Sequence, residues 1–241
     1  MYFDTRYLYI ILAIIVVMSL FDGGFSLLEL LLTLPGVLVA LTFHEYAHAL
    51  AAYKLGDDTA KYQGRLSLNP LAHLEPIGVI MLVFAHIGWG KPVQINPNNF
   101  TSKISARTGE AIVAAAGPIM NFILAIVFAI ISVTVSVLAP TFIYSQIGII
   151  VFTMLQYAVI VNVGLGVFNL IPLPPLDGSK VLMAFLSYNA KRWFEEHTQL
   201  FYMIFLIIWI TPISSMIISP IMSLITEGIF NGVYWLFGLF L

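Results

Sequence analysis

Four apolar stretches, residues 6–21, 26–53, 111–139 and 145–168, limit what this chain can fold into. Each approaches or exceeds the roughly 20 residues that a helix needs to cross a bilayer. In hydrocarbon the backbone must bond to itself, so such stretches become helices rather than irregular chain. Composition agrees, with 60% hydrophobic and only 9% charged residues, where soluble domains carry about 25% charge. A further apolar region, 199–241, holds one or two more helices. Pro212 and Pro220 break it, and Glu227 and Asn231 interrupt it again. The expected fold class is an all-α polytopic membrane protein with about 5–6 transmembrane helices, in a single membrane-embedded domain over 1–241. Asp4 and Arg6 open the first stretch and no small-residue cleavage site follows, so it reads as an uncleaved span.

The basic residues set the expected orientation. Arg6 precedes the first span. Lys54, Lys61, Arg65, Lys91, Lys103 and Arg107 lie between the second and third, and Lys180, Lys191 and Arg192 follow the fourth. If the spans alternate, all 10 basic residues fall on one side. The opposite connections, "FDGGFS" and "APTFIYSQ", carry none. By the positive-inside rule the N-terminus and the basic loops are cytoplasmic. Lys and Arg form no stripe along any helix, so nucleic acid is not an expected partner.

Residues 54–110 differ in texture. "LGDD", "NPLAHLEPIG" and "GWGKPVQINPNNF" are turn-rich, and β-prone "AKYQGRLSL" alternates with apolar "VIMLVFAHIGW". The apolar piece is too short to cross. The segment reads as a small β-prone or re-entrant element between the second and third spans, on the cytoplasmic side. Irregular backbone at that depth must be buried in protein or line a cavity.

"LTFHEYAHALAAYKLGDD", residues 41–58, places two histidines and a glutamate inside a span. Residues i and i+4 of a helix differ by about 40° in direction, so His44 and His48 point from one face. Two imidazoles so placed can hold one metal, and Glu45 beside them can serve as general base to a water. The simpler alternative is three polar residues hydrogen-bonded inside a bundle. A charged side chain at bilayer depth costs about 2.5–3.5 kcal/mol, so a cluster of ionisable residues there marks a functional site. The chain has no cysteine, which excludes disulfides and thiolate ligands and leaves His, Asp and Glu, a set that suits zinc.

A catalytic zinc site needs a third protein ligand and an open position. "FNLIPLPPLDGSKVL", residues 168–182, offers Asp177. Pro172, Pro174 and Pro175 forbid regular helix there, and Asp177-Gly178 makes a turn able to aim a carboxylate back into the bundle. Residues 169–190 thus read as the Asp-ligand loop and a following short helix. His73 and His86 are the alternatives to Asp177. A surface turn with an ordinary aspartate is the plainer reading.

His44-Glu45-x-x-His48 on an early span, with Asn169-Leu-x-Pro172 and Asp177-Gly178 after a later one, resembles the site-2 protease family of intramembrane zinc metalloproteases. "AAAGPIMN", residues 114–121, adds the Gly-Pro-x-x-Asn element found between the two motifs in that family. The segments "GRLSLNPLAHLEPIG" and "GWGKPVQINPNNF" are similar to short bacterial and archaeal members. The resemblance covers about residues 35–190 and implies a short form without a PDZ or CBS domain. It implies that His44, His48 and Asp177 bind one Zn2+ per chain and that Glu45 activates water. Asn169 is implied as a contact for the substrate backbone or the oxyanion, with Asn121 a second candidate. Gly117 and Pro118 permit close helix approach and a kink. The implied activity is hydrolysis of peptide bonds within or near transmembrane segments. The partners are then a membrane-protein substrate with a transmembrane helix and the lipid bilayer, in a prokaryotic cell membrane. The rival class is a metal-binding membrane transporter, or a zinc protein without proteolysis. Ion transport gives no reason for Glu45 at its fixed offset.

Overall fold

The computed structural model describes residues 26–78, 90–101 and 103–238. Four of its helices are long and apolar enough to cross a membrane, and the chain is an integral membrane protein. They are α1 (Leu27–Lys54), α3 (Ala106–Leu138), α5 (Gln146–Asn169) and α9 (Ile213–Gly238). Between them lie the short helices α2 (Thr59–Tyr62), α4 (Pro140–Ile143), α6 (Asp177–Phe185), α7 (Tyr188–Glu196) and α8 (Thr198–Ile210). Serines open three of the long helices. Ser26, Ser105 and Ser145 accept from the backbone N–H of Glu29, Thr108 and Gly148, satisfying donors that a helix start leaves free.

The long helices follow the apolar stretches closely. α1, α3 and α5 match 26–53, 111–139 and 145–168, whereas the expected first span, 6–21, lies outside the described residues. The last region departs from expectation. Pro212 separates α8 from α9, but Pro220 sits inside α9 and the helix continues through it. Glu227 and Asn231 therefore belong to one continuous apolar helix, both exposed on its outer side. At 13 residues, α8 rises only about 20 Å and does not span.

Small residues let α1, α3 and α5 approach closely. A Cβ on Gly36 of α1 would lie 2.9 Å from the Ala158 Cα of α5. Ala125, Ala129 and Val133 of α3 pack with Val159, Val163 and Val167 of α5, and Val233 of α9 closes this core. Without a hydrophobic drive between helices in lipid, such close contact is what holds them.

The described residues of the 54–110 segment do not form the expected sheet. Among its described residues there is no strand, only an isolated antiparallel bridge between Leu74 and Gly90. Several of its backbone bonds are local, as where Arg65 N–H donates to Ala60 O and His73 N–H to Pro70 O, while Lys91 N–H to His73 O and Thr101 N–H to Leu55 O close it across the sequence. Asp57, wholly buried, ties the ends of the segment together. It accepts from the backbone and hydroxyl of Thr59, from Asn96 N–H at 2.6 Å and from Asn99 Nδ2 at 2.8 Å. Burial opposes its ionisation, but these donors outweigh it and hold its carboxyl below the usual range.

α6 is fastened to α3 from the other direction. Arg107 donates through Nε to Met183 O at 2.9 Å and through Nη2 to Leu186 O. Those carbonyls lie at the end of α6 and just beyond it, where a helix leaves acceptors free. The anchor fixes the short helix that begins with Asp177.

Candidate metal centre

His44 and His48 lie on the inner face of α1, 4% and 8% exposed. Asp177 opens α6. Its Oδ2 lies 3.2 Å from His44 Nε2 and 3.1 Å from His48 Nε2, and the two Nε2 atoms are 3.0 Å apart. Among the described residues these three form the group able to hold a metal ion. The structure thus brings Asp177 to the histidines across 129 residues of chain (177 − 48).

The second nitrogen of each ring decides what the first can do. His44 Nδ1 lies 2.6 Å from Asn121 Oδ1, and His48 Nδ1 lies 2.7 Å from Val113 O. Both partners are acceptors, so both Nδ1 atoms carry the proton in the neutral rings. Each Nε2 is then a bare lone pair, and two lone pairs and a carboxylate oxygen converge on one point. A cation, or protons shared among them, is needed to hold them there. The spacing suits zinc: bonds of about 2.0–2.1 Å in a tetrahedron set their ligand atoms about 3.3 Å apart. A backbone carbonyl on the far nitrogen is a usual support for a histidine ligand, and the Asn121 amide oxygen offers His44 an acceptor in the same position.

α3 forms the back wall. A Cβ on Gly117 would fall 2.5 Å from His48 Nε2 and 2.7 Å from His44 Cε1. Only glycine leaves room for both rings. A Cβ on Gly178 would fall 2.3 Å from Leu170 O, so the residue after Asp177 must also be bare for the turn to close.

Glu45 lies 9% exposed beside the histidines. Its Oε2 accepts from Val93 N–H at 3.2 Å, and its Oε1 lies 3.4 Å from the place a Cβ on Gly90 would take. The 90–93 backbone therefore packs against this carboxylate. Sequence reasoning missed that contact, whose only signal was glycine at 90.

The other candidates fall elsewhere. Asn121 is wholly buried behind His44 and not on an open face. Asn169 is half-buried at the end of α5, where its Nδ2 donates to Leu165 O at 3.0 Å. His73 is fully buried with Nε2 on Ser67 O at 2.7 Å, apart from the metal group. His86 lies outside the described residues. His197 stacks on Trp193 at 4.6 Å, in line with an interfacial pair.

Fold and site define the class: a polytopic membrane protein with a largely buried three-donor group able to hold a metal and a carboxylate beside it. The chain belongs to Peptidase family M50, whose model matches residues 32–148 and 141–211. It is 34% identical over 188 residues to "Putative zinc metalloprotease YwhC" of Bacillus subtilis (strain 168), covering 78% of this chain and 84% of that protein. It is 29% identical over 213 residues to "Putative zinc metalloprotease Rip2" of Mycolicibacterium smegmatis, covering 86% and 73%. A protein of Methanocaldococcus jannaschii with the same description, MJ0611, is 30% identical over 193 residues, covering 77% and 85%. No solved structure matches significantly.

Proposed function

We propose that this chain is an intramembrane zinc metalloprotease, cleaving peptide bonds within or near transmembrane segments of membrane proteins. His44, His48 and Asp177 hold one zinc and Glu45 is the general base. The observation that carries the reading is the convergence of His44 Nε2, His48 Nε2 and Asp177 Oδ2 within 3.0–3.2 Å, with the Glu45 carboxylate one residue from the first ligand. Family membership favours hydrolysis over transport.

Zinc, when bound, supplies Lewis acidity to the scissile carbonyl and to water. Glu45 takes the proton of the attacking water and passes it to the leaving amide nitrogen. The Val93 N–H orients that carboxylate. Asn169, near the Asp177 loop, remains the candidate contact for the substrate backbone or the oxyanion. His44 and His48 precede the end of α1 at Lys54 by ten and six residues, so the site lies roughly 9–15 Å inside that end. Water reaches it from the side of the polar 54–110 segment. A substrate helix must unwind there, because its carbonyls are otherwise bonded from i to i−4. The non-helical 90–96 backbone beside Glu45 is placed to receive the unwound stretch.

Purified protein is expected to hold about one zinc per chain and to cleave single-span membrane substrates until a zinc chelator is added. Elemental analysis and a cleavage panel measure both. Full zinc occupancy in a His44→Ala, His48→Ala double variant, or cleavage indifferent to the chelator, would contradict the assignment.

In this reading the chain is one membrane-embedded domain with the N-terminus and basic loops cytoplasmic. Tyr62 and Tyr144 are 84% and 85% exposed, and this topology puts them on opposite sides. The natural chain has no cysteine, so Tyr62→Cys and Tyr144→Cys are clean reporters. An impermeant thiol reagent is expected to reach them from opposite faces of the membrane, Tyr62→Cys from the cytoplasmic one. Labelling of both from one face would refute this topology.

A further inference from the structure

We propose that Asn121 and Asn162 are positioning residues for the metal site, forming a buried amide relay that fixes the tautomer and ring orientation of His44. The inference rests on the zinc reading above but names side chains that touch neither metal nor substrate. Both amides are wholly buried. Asn162 Nδ2 donates to Ala158 O at 2.8 Å within α5. A backbone carbonyl only accepts, so this bond fixes which end of the amide is nitrogen and turns Oδ1 toward α3. There Asn162 Oδ1 accepts from Asn121 Nδ2 at 3.0 Å. Asn121 Nδ2 also donates to Ala40 O of α1 at 3.1 Å. Two acceptors thus hold the Asn121 nitrogen, and its oxygen is left facing His44 Nδ1 at 2.6 Å.

The chain of bonds has one consistent direction. Carbonyls at Ala158 and Ala40 orient the two amides, and the amides require the His44 proton to sit on Nδ1. The Nε2 lone pair is then presented toward Asp177 Oδ2 and His48 Nε2. A reversed Asn121 amide would put N–H against Nδ1, favour the proton on Nε2, and block the ligand atom. Each of α1, α3 and α5 contributes one side chain to the relay, so the helix packing itself is read out at the metal. His48 has no such device; it uses the Val113 carbonyl, which cannot reverse.

Two substitutions test this, Asn121→Leu and Asn162→Leu, which keep the branched outline of the asparagine side chain but neither donate nor accept. The first readout is zinc affinity by chelator competition on the full-length protein. Lost outer-shell partners typically cost about 10–100-fold in metal affinity. Asn121→Leu is expected in that range, and Asn162→Leu between it and wild type. The second readout is nitrogen NMR of labelled histidine in zinc-stripped protein. Wild type is expected to show His44 with the proton on Nδ1, and Asn121→Leu to show a mixture. Asn121→Asp supplies the rescue: it keeps the acceptor for Nδ1 and should hold zinc more tightly than Asn121→Leu. A packing role alone gives the opposite order, since a buried carboxylate packs worse than leucine. Should Asn121→Asp fail to fold, Asn162→Leu carries the comparison, because it leaves Asn121 and every metal donor in place. Wild-type zinc affinity in Asn121→Leu, or an unchanged His44 tautomer, overturns the relay. A wild-type protein that takes up no zinc overturns the metal reading instead, and the NMR comparison still decides the relay.

Discussion

Glu45→Gln is expected to keep its zinc and to lose at least ~10²-fold of its cleavage rate, the low end for a lost general acid–base group. None of the three converging donor atoms belongs to Glu45, so the substitution should leave the candidate donor group intact. Glutamine retains the shape of glutamate and can still accept from Val93 N–H through its oxygen. What it cannot do is take a proton from water. His48→Ala removes a donor and is expected to lose zinc and activity together. The paired measurement is zinc content and cleavage of one membrane substrate for both variants. Normal cleavage by zinc-loaded Glu45→Gln would remove Glu45 from the mechanism and bring the transporter reading forward.

Gly117→Ala is expected to be nearly as damaging, although it adds a single methyl group. Helix propensity alone predicts a gain of about 1 kcal/mol for glycine to alanine within a helix. The new Cβ, however, would fall 2.5 Å from His48 Nε2 and 2.7 Å from His44 Cε1. The rings cannot simply retreat, because Asn121 and Val113 hold their Nδ1 atoms from α3 itself. Either α3 backs away and carries those anchors with it, or the rings rotate and misdirect Nε2. A displacement of about 1 Å at a reacting centre costs on the order of 10²-fold in rate. Zinc affinity and cleavage should fall together while the protein still folds. Wild-type zinc binding by Gly117→Ala would show that α3 does not lie against the imidazoles.

The site was legible where its spacing is local. His44, Glu45 and His48 sit within five residues on one helix, and a helix of fixed pitch puts both imidazoles on one side. Asp177 was reachable because an Asp-Gly turn after a proline-rich break is itself a local signal, and because a third ligand was required. Asn162 was not legible. A lone asparagine in an apolar helix has no periodic signature, and its meaning comes from Asn121, 41 residues away in sequence. Asn121 was singled out from its motif, but as a contact for substrate. Its burial behind His44 exists only once three helices are packed.

Elsewhere a local rule lost to context. Pro220 reads as a helix end, yet α9 runs through it, since an apolar environment makes unwinding more costly than one missing hydrogen bond. Residues 60–68 alternate like a strand. In the structure the N–H groups of Tyr62, Gln63, Gly64 and Arg65 donate to carbonyls three to five residues back, and no partner strand forms among the described residues.

Arg107 shows how little redundancy such a chain contains. As one of ten basic residues it belongs to the charge pattern on which the proposed orientation rests. Its guanidinium, though, is bonded to Met183 O and Leu186 O and so secures the helix that begins at Asp177. Lysine in its place would carry the same sign to the same end of α3 but could not offer the same fork of donors. Charge counting would treat the exchange as silent, while the geometry beneath Asp177 would slacken. Membrane insertion and assembly of the centre therefore make separate demands on one side chain, and only arginine answers both.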